Sequence, residues 1–380
     1  MGNSGSHVLF LGFLLSFIGC SVQETDKQES WLWTGFVKVD SLNPILEPAG
    51  IQTFKCPIEN REIAWESRNV LNPSAVIKDG KIHLLYRAQD RTGTSRIGMA
   101  ISKDGLNFER LPTPVFYPSE DDMKEYEWNY LKRSGSDYDR ECVSCLFDGV
   151  EDPRVVSHPE GGYVMTYTAY DGKTARLALA TSQDLISWTK HGLVLSDSLY
   201  KDHWSKSGAI ITERVGDQMI ATKINGQYWM YFGDKQFHMA ASSNLIHWIP
   251  LTDKESGKLI SVLHPRPGFF DSRLVEPGPY AQLNDNGVRL IYNASNASNH
   301  NDPSLPIYTY AAGQALFDAS NPLKLIDRTQ TYFIKPDKSY EKIGEVNEVC
   351  FVEGLVPHED RWFLYYGTAD TRIAVAVAGQ

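Results

Sequence analysis

The 380-residue chain predicts an all-β fold, a five-bladed β-propeller. Three observations predict it. A unit of apolar, aromatic-rich strand, polar turn and second strand recurs five times. Each copy carries a tyrosine in its first strand: Tyr86, Tyr167, Tyr231, Tyr292 and Tyr365, about 60 to 80 residues apart. No window shows a long amphipathic period of 3.6 residues, so helices should be few. A single blade cannot bury both faces of its sheet, whereas five packed radially can, and the ring leaves only short edges. A β-sandwich of similar strands is the alternative, but sandwiches do not repeat a hairpin this regularly.

Taken in chain order, residues 8–19 (VLFLGFLLSFIG) are apolar, too short for a comfortable membrane span, and fit the apolar region of a signal peptide. The stretch ends in SFIGC, which resembles a bacterial lipobox and would make Cys20 the lipidated first residue of the mature protein. A plain cleaved signal is the alternative, and both readings place the domain outside the cytoplasm. The expected layout is a signal peptide over 1–19, a polar tether over 20–32 and the propeller over 33–380. With Cys20 lipidated, the tether would join the domain to the membrane of the bacterial cell envelope.

The first three blade units are HLLYRAQDRTGTSRIGMAISKDGLNF (83–108), YVMTYTAYDGKTARLALATSQDLISW (163–188) and YWMYFGDKQFHMAASSNLIHW (228–248). Two looser units are VRLIYNASN followed by IYTYAAGQALFD (288–318), and WFLYYGTADTRIAVAVA (362–378). Asp104, Asp184 and Asn244, in the outer turns, are read as structural, since such side chains bond their own turn backbone. Segment 117–145 is charged and lacks strand periodicity; it reads as a long insertion before the second blade, either a rim to a pocket or solvated surface. CVSC at 142–145 has metal-type spacing but no second pair to complete a zinc site, leaving a local disulfide or two free thiols; Cys56 and Cys350 stand apart. A net charge of −10 argues against nucleic acid and against an anionic membrane surface as partners.

Propellers place their sites where blades converge on the axis, so carboxylates beside the inner strands carry the functional reading. GVEDPRVV (149–156) sets Glu151 and Asp152 before the second blade, with Arg154 to hold one of them ionised. RLVEPGP (273–279) sets Glu276 before the fourth blade and FVEGLV (351–356) sets Glu353 before the fifth. Asp234, in YFGD, and Asp370, in YYGTAD, follow their blade tyrosines. Acids ringed around an axis serve either acid–base work on a glycosidic bond or cation binding. Asn72, Ser74, Arg87, Arg96 and Lys206 add hydroxyl-binding and cationic partners, with Trp204 beside Lys206. Because Arg87, Arg96, Arg154 and Lys206 are interleaved with the acids, a divalent ion would be repelled; neither a catalytic metal nor another cofactor is expected.

At NPILEP, LNPSAV, LLYRA, SRIGMAISKDGLNF, VEDPRVV, KSGAII, LVEPGP, FVEGLV and YYGTADT the chain resembles glycoside hydrolase family 130, from residue 43 to 371. That family consists of five-bladed propeller enzymes acting on β-mannosides. The resemblance implies that Asp152, the Asp of EDPR, is the acid used by the phosphorylases, and that Asn72, Ser74, Arg87 and Asp370 line the mannosyl subsite. Asp152, Glu276 and Glu353 are the expected catalytic acids; Asn72, Ser74, Arg87, Arg96, Arg154, Lys206, Asp234 and Asp370 are the expected substrate-binding residues. The family divides into phosphorylases, which hold phosphate on Arg and Lys, and hydrolases, which use glutamates to handle water. Export favours inverting hydrolysis of a β-mannoside, with β-1,2 linkage suggested by FFDSRLVEPGP; phosphorolysis and glycan binding without turnover remain the competing readings. An arabinan- or xylan-active propeller would also use three axial acids, but its motifs do not match VEDPR followed by LVEPGP.

Overall fold

Runs of Val, Ile, Leu, Tyr and Ala broken by Gly-Asp turns fold into antiparallel sheets, as their β-propensity dictates. The computed structural model describes residues 1–2, 31–130 and 147–379. Cys20, Cys142 and Cys145 lie outside the described residues, as do residues 3–19 of the expected signal peptide and most of the expected tether. The compact unit begins at Trp31, two residues before the expected boundary at 33.

Five antiparallel sheets make a five-bladed propeller. The first blade runs through Asn69–Lys78, Lys81–Gln89, Thr94–Ser102 and Glu109–Arg110. The second uses Asp148–Ser157, Tyr163–Tyr170, Ala175–Ser182 and Trp188–Leu193. The third is built on Ala209–Val215, Gln227–Phe232, Phe237–Ser242 and Trp248–Pro250. The fourth has an interrupted inner strand, Leu274–Pro277 and Ala281–Asn284, then Gly287–Ser295, Tyr310–Phe317 and Leu325–Arg328. The fifth comprises Cys350–His358, Arg361–Thr368 and Arg372–Gly379. Its outermost strand comes from the other end of the chain: Val37 pairs with Val377 and Lys38 with Ala376, so backbone hydrogen bonds close the ring. Among the described residues, helix is limited to the single turns Lys124–Glu127 and Ser339–Lys342 and to Tyr130.

Blade sheets are covered on both faces, which is why Val164, Leu177, Met230, Phe232 and Leu364 all stand at 1% exposure or less. The outer turns repeat one device. Asp104 accepts the amides of Leu106 and Asn107, Asp184 those of Ile186 and Ser187, and Asn244 those of Ile246 and His247.

A second repeat is absent from the motif pattern. In four blades a tyrosine hydroxyl donates to a carboxylate with no solvent exposure, supplied by a connecting segment, and the outermost strand supplies a cation to that same acid. Tyr86 donates to Glu66, which pairs with Arg110 at 3.1 Å. Tyr167 donates to Glu127, which pairs with Lys190. Tyr292 donates to Asp271, which pairs with Arg328 at 2.6 Å. In the fifth blade the donor is Tyr366 rather than Tyr365, the acid is Glu341, and Lys38 pairs with it at 2.7 Å. Tyr365 and Tyr231 instead donate to the carbonyls of Gly105 and Pro322. Each arrangement satisfies a buried hydroxyl and a buried charge together. Glu127 also fixes the described start of segment 117–145 to the second blade, so residues 117–130 are more than solvated surface.

Candidate active site

The inner strands break register where the candidate residues stand. The ladder slips between Leu71 and Pro73, between Glu151 and Arg154, and between Val352 and Gly354. The residues left without a partner include Asn72, Asp152 and Glu353. A bulge re-aims its extra side chain, and it persists only where the surroundings enforce it. Asn72 (φ +48°) and Asp152 (φ +50°) are driven into the left-handed region, as are Ser207 (φ +59°) and Asp370 (φ +49°). Pro follows Asn72, Asp152 and Glu276, and having no N–H to offer the ladder it tolerates these breaks. Gly367 is required opposite: a Cβ there would stand 2.3 Å from Asn72 Oδ1.

These bulges, the interrupted inner strand of the fourth blade and the segment leading into the third gather residues of all five. Asp152 Oδ1 accepts from Asn72 Nδ2 at 2.9 Å and from Arg87 Nη1 at 3.3 Å. Arg87 Nη2 donates to Glu151 at 2.6 Å and its Nε to Ser95 at 3.0 Å; Ser95 donates onward to Glu151 at 3.1 Å. Arg154 donates to the carbonyls of Pro277 and Gly278 on the fourth blade and stands 2.6 Å from Glu353 of the fifth. That contact is out of line, so neither Glu353 oxygen gains a directed hydrogen bond. Lys206 Nζ lies 3.4 Å from Glu276 Oε2, which also accepts from Ser207 Oγ at 3.1 Å.

Protonation differs across the cluster. Burial pushes the Glu353 carboxyl well up, and Arg154 only partly offsets it. Burial likewise raises Glu276 against the pull of Lys206. Glu151 is pushed up to about 7 by burial, with Asp152 adding to the rise and Arg87 opposing it. Asp370 is raised to about 6 by burial, opposed by Arg87. Asp152 moves the other way: burial raises it, but Arg87, Lys206, the Asn72 hydrogen bond and Arg154 together hold it below the usual range. For Lys206, burial acts to lower the ammonium, and the charges of Glu276, Asp152 and Asp234 outweigh it. Buried carboxyls whose surroundings push their protonation in opposite directions are what acid–base chemistry needs.

Not every expected binding residue joins the cluster. Arg96 is 1% exposed, pairs with Asp90 at 2.7 Å and stacks over Phe54; it serves the first blade's own packing. Ser74 Oγ accepts the Val155 amide and so braces the first blade against the second. Asp234 is half-buried near Lys206 and Glu276, within the electrostatic reach of both. The binding list omitted Glu151 and Ser95, although Glu151 lies in the same GVEDPRVV motif. Among the described residues, no three His, Cys, Asp or Glu side chains are grouped to hold a metal ion.

Known proteins resemble this chain in sequence and in fold. A family model described as beta-1,4-mannooligosaccharide phosphorylase matches residues 37–379. The chain is 32% identical over 327 residues to the 1,2-beta-oligomannan phosphorylase of Thermoanaerobacter sp. (strain X514), covering 83% of this chain and 92% of the relative. A glycosyl hydrolase from Bacteroides ovatus superposes with a TM-score of 0.84 at 40% identity, over 91% of this chain and 94% of that one. A second structure, also at TM-score 0.84 and 40% identity over 92% and 94% of the two chains, comes from a study of the GH130 family of mannoside phosphorylases, which contains glycoside hydrolases that target beta-1,2 mannosidic linkages in Candida mannan. The chain therefore belongs to glycoside hydrolase family 130.

Proposed function

We propose that this protein is an exported hydrolase that removes mannose from β-1,2-linked mannosides with inversion at the anomeric carbon. The observation that carries the reading is that each of the three cluster cations already has a carboxyl partner. Arg87, Arg154 and Lys206 each already contact a carboxylate: Glu151 and Asp152, Glu353, and Glu276. Asp370 and Asp234 add further acid nearby. A phosphate dianion entering here would have to draw one of these cations away from the carboxyl it already contacts, in surroundings where charges are poorly screened. Water carries no such penalty. The solved relatives at 40% identity, one of them named a glycosyl hydrolase, support the same choice. The SFIGC sequence at Cys20 supports export, since a sugar phosphate released outside the cell would waste its bond energy.

In this reaction a carboxyl protonates the leaving glycosidic oxygen while a carboxylate takes a proton from water. The water oxygen bonds to the anomeric carbon from the opposite face. Asp152, Glu276 and Glu353 supply these groups. Asp152 is held towards the carboxylate and the glutamates are shifted towards the protonated form. Proton donation by Asp152, the role its motif implies, therefore requires the bound sugar to part it from Arg87 or Asn72.

The test is product analysis on β-1,2-mannobiose with and without phosphate. Mannose as the sole product at equal rates supports hydrolysis. Strict phosphate dependence with mannose 1-phosphate released would establish phosphorolysis, the activity named for the Thermoanaerobacter relative. Binding with neither product would leave a glycan-binding protein.

A further inference from the structure

We propose that Trp204, braced by Tyr170, is the platform on which the sugar next to the scissile bond stacks, and so sets the preference for glycans over simple mannosides. This rests on the mannoside reading above. Trp204 is 42% exposed, an unusual state for an indole only two residues from a cluster cation. The chain descends steeply at this point: Ser205 is 2% exposed, Ser207 1%, and both Lys206 and Ser207 contact Glu276. Trp204 thus stands at the mouth where the following residues enter the site.

Its position is fixed from both sides. The Ser205 amide donates to the Ala175 carbonyl at 2.9 Å, Ser205 Oγ accepts from Leu177 at 3.1 Å, and the Gly233 amide donates to the Lys206 carbonyl at 2.9 Å. Tyr170 meets the indole edge-on at a centroid distance of 6.1 Å and 64°. Such a T-shaped pair supports the ring while leaving at least one indole face clear of Tyr170. Tyr170 ends the strand that lies beside Gly149 and Glu151, so it links the platform to the Arg87–Glu151 pair. A rigid, amphipathic ring loses little freedom on binding and offers its face to sugar C–H groups. Tyr308 makes a contrast: it is 47% exposed, but Arg273 already lies over its ring at 5.0 Å.

A site enclosing only the terminal mannose would treat every aglycone alike, whereas a mouth platform rewards a second sugar. The experiment compares kcat/KM on β-1,2-mannobiose with that on methyl β-mannoside, for wild type, Trp204→Ala, Trp204→Phe and Tyr308→Ala. Trp204→Ala should lower the disaccharide value about ten- to hundredfold, chiefly through KM. Methyl β-mannoside should stay within about twofold of wild type. Trp204→Phe should recover most of the loss, and Tyr308→Ala should leave the ratio unchanged. Equal losses on both substrates, or a fall in Tm without a change of ratio, would overturn the assignment. Should wild type cleave neither substrate, the hydrolase reading falls, and calorimetric titration decides the platform. Trp204→Ala must then weaken β-1,2-mannobiose and spare mannose, and unchanged disaccharide affinity overturns it.

Discussion

Arg154 Nη1 stands 2.6 Å from Glu353 Oε1, and the same guanidinium donates to Gly278 and Pro277, so one side chain of the second blade holds the fourth and fifth. Both partners are almost wholly buried, at 3% and 0% side-chain exposure. Removing Arg154 takes away the main charge that opposes the burial of Glu353 and the donors that satisfy the Pro277 and Gly278 carbonyls. Arg154→Met should therefore destabilise the fold by about 3–5 kcal/mol, measured by denaturant unfolding. Adding Glu353→Gln to that variant should recover part of the loss. If the double variant were less stable than the single one by the full cost of Glu353→Gln alone, the two residues would not be coupled.

Asp152 and Arg96 separate chemistry from packing. Asp152→Asn keeps the shape and the Asn72 and Arg87 neighbours but removes the titrating group. Its kcat on β-1,2-mannobiose should fall about 10²–10⁴-fold, with the circular dichroism spectrum unchanged. Arg96→Met should act oppositely, lowering Tm while the folded enzyme keeps its kcat and KM, because Arg96 bonds Asp90 rather than any cluster residue. A KM effect of Arg96→Met would return that residue to the site.

Much of this was legible in the sequence because two signals coincide. The hairpin units report the blades, and Asn-Pro, Asp-Pro and Glu-Pro at 72–73, 152–153 and 276–277 mark the inner strands where the cluster residues stand. Spacing alone could not separate Arg87 from Arg96. Both lie in the first blade, yet Arg87 faces Glu151 and Asp152 while Arg96 turns to Asp90 and Phe54. Alternation gives the two faces of a strand, not which neighbour each face meets. The buried acids Glu66, Glu127, Asp271 and Glu341 were invisible for a different reason. Each sits in a connection between blades, two of them in single helical turns too short to show a period, and only the fold shows that a tyrosine and an outer-strand cation await it.

Lys38 joins two of these devices. Its strand closes the ring against Ala376, and its ammonium pairs with Glu341 at 2.7 Å and Asp337 at 2.6 Å. Lys38→Met leaves the backbone pairing intact but abandons Glu341, whose side chain has no solvent exposure. A loss of about 3–5 kcal/mol is expected, together with faster proteolysis near the chain ends as the closing strand frays. Val37→Thr, at the neighbouring exposed position, should change stability by less than about 0.5 kcal/mol. Equal effects from the two substitutions would show that strand pairing, not the buried charge, sets the closure.

Glu151 gives a pH dependence whose sign follows from its surroundings. Burial lifts its carboxyl to about 7 in the folded protein, against an ordinary value of 4.5. Between those limits the folded state binds more protons than the unfolded one, so stability falls as pH rises. The contribution of Glu151 is complete below about 4.5 and is lost as pH climbs through about 7. Asp370, raised to about 6, adds a smaller trend of the same sign. Glu151→Gln removes the titration while keeping an acceptor for Arg87. Thermal unfolding at constant ionic strength should therefore show wild type gaining several degrees relative to Glu151→Gln as pH is lowered from 8 to 4.5. Parallel Tm curves would mean that Arg87 keeps Glu151 ionised throughout, leaving that guanidinium still more firmly engaged by its partner.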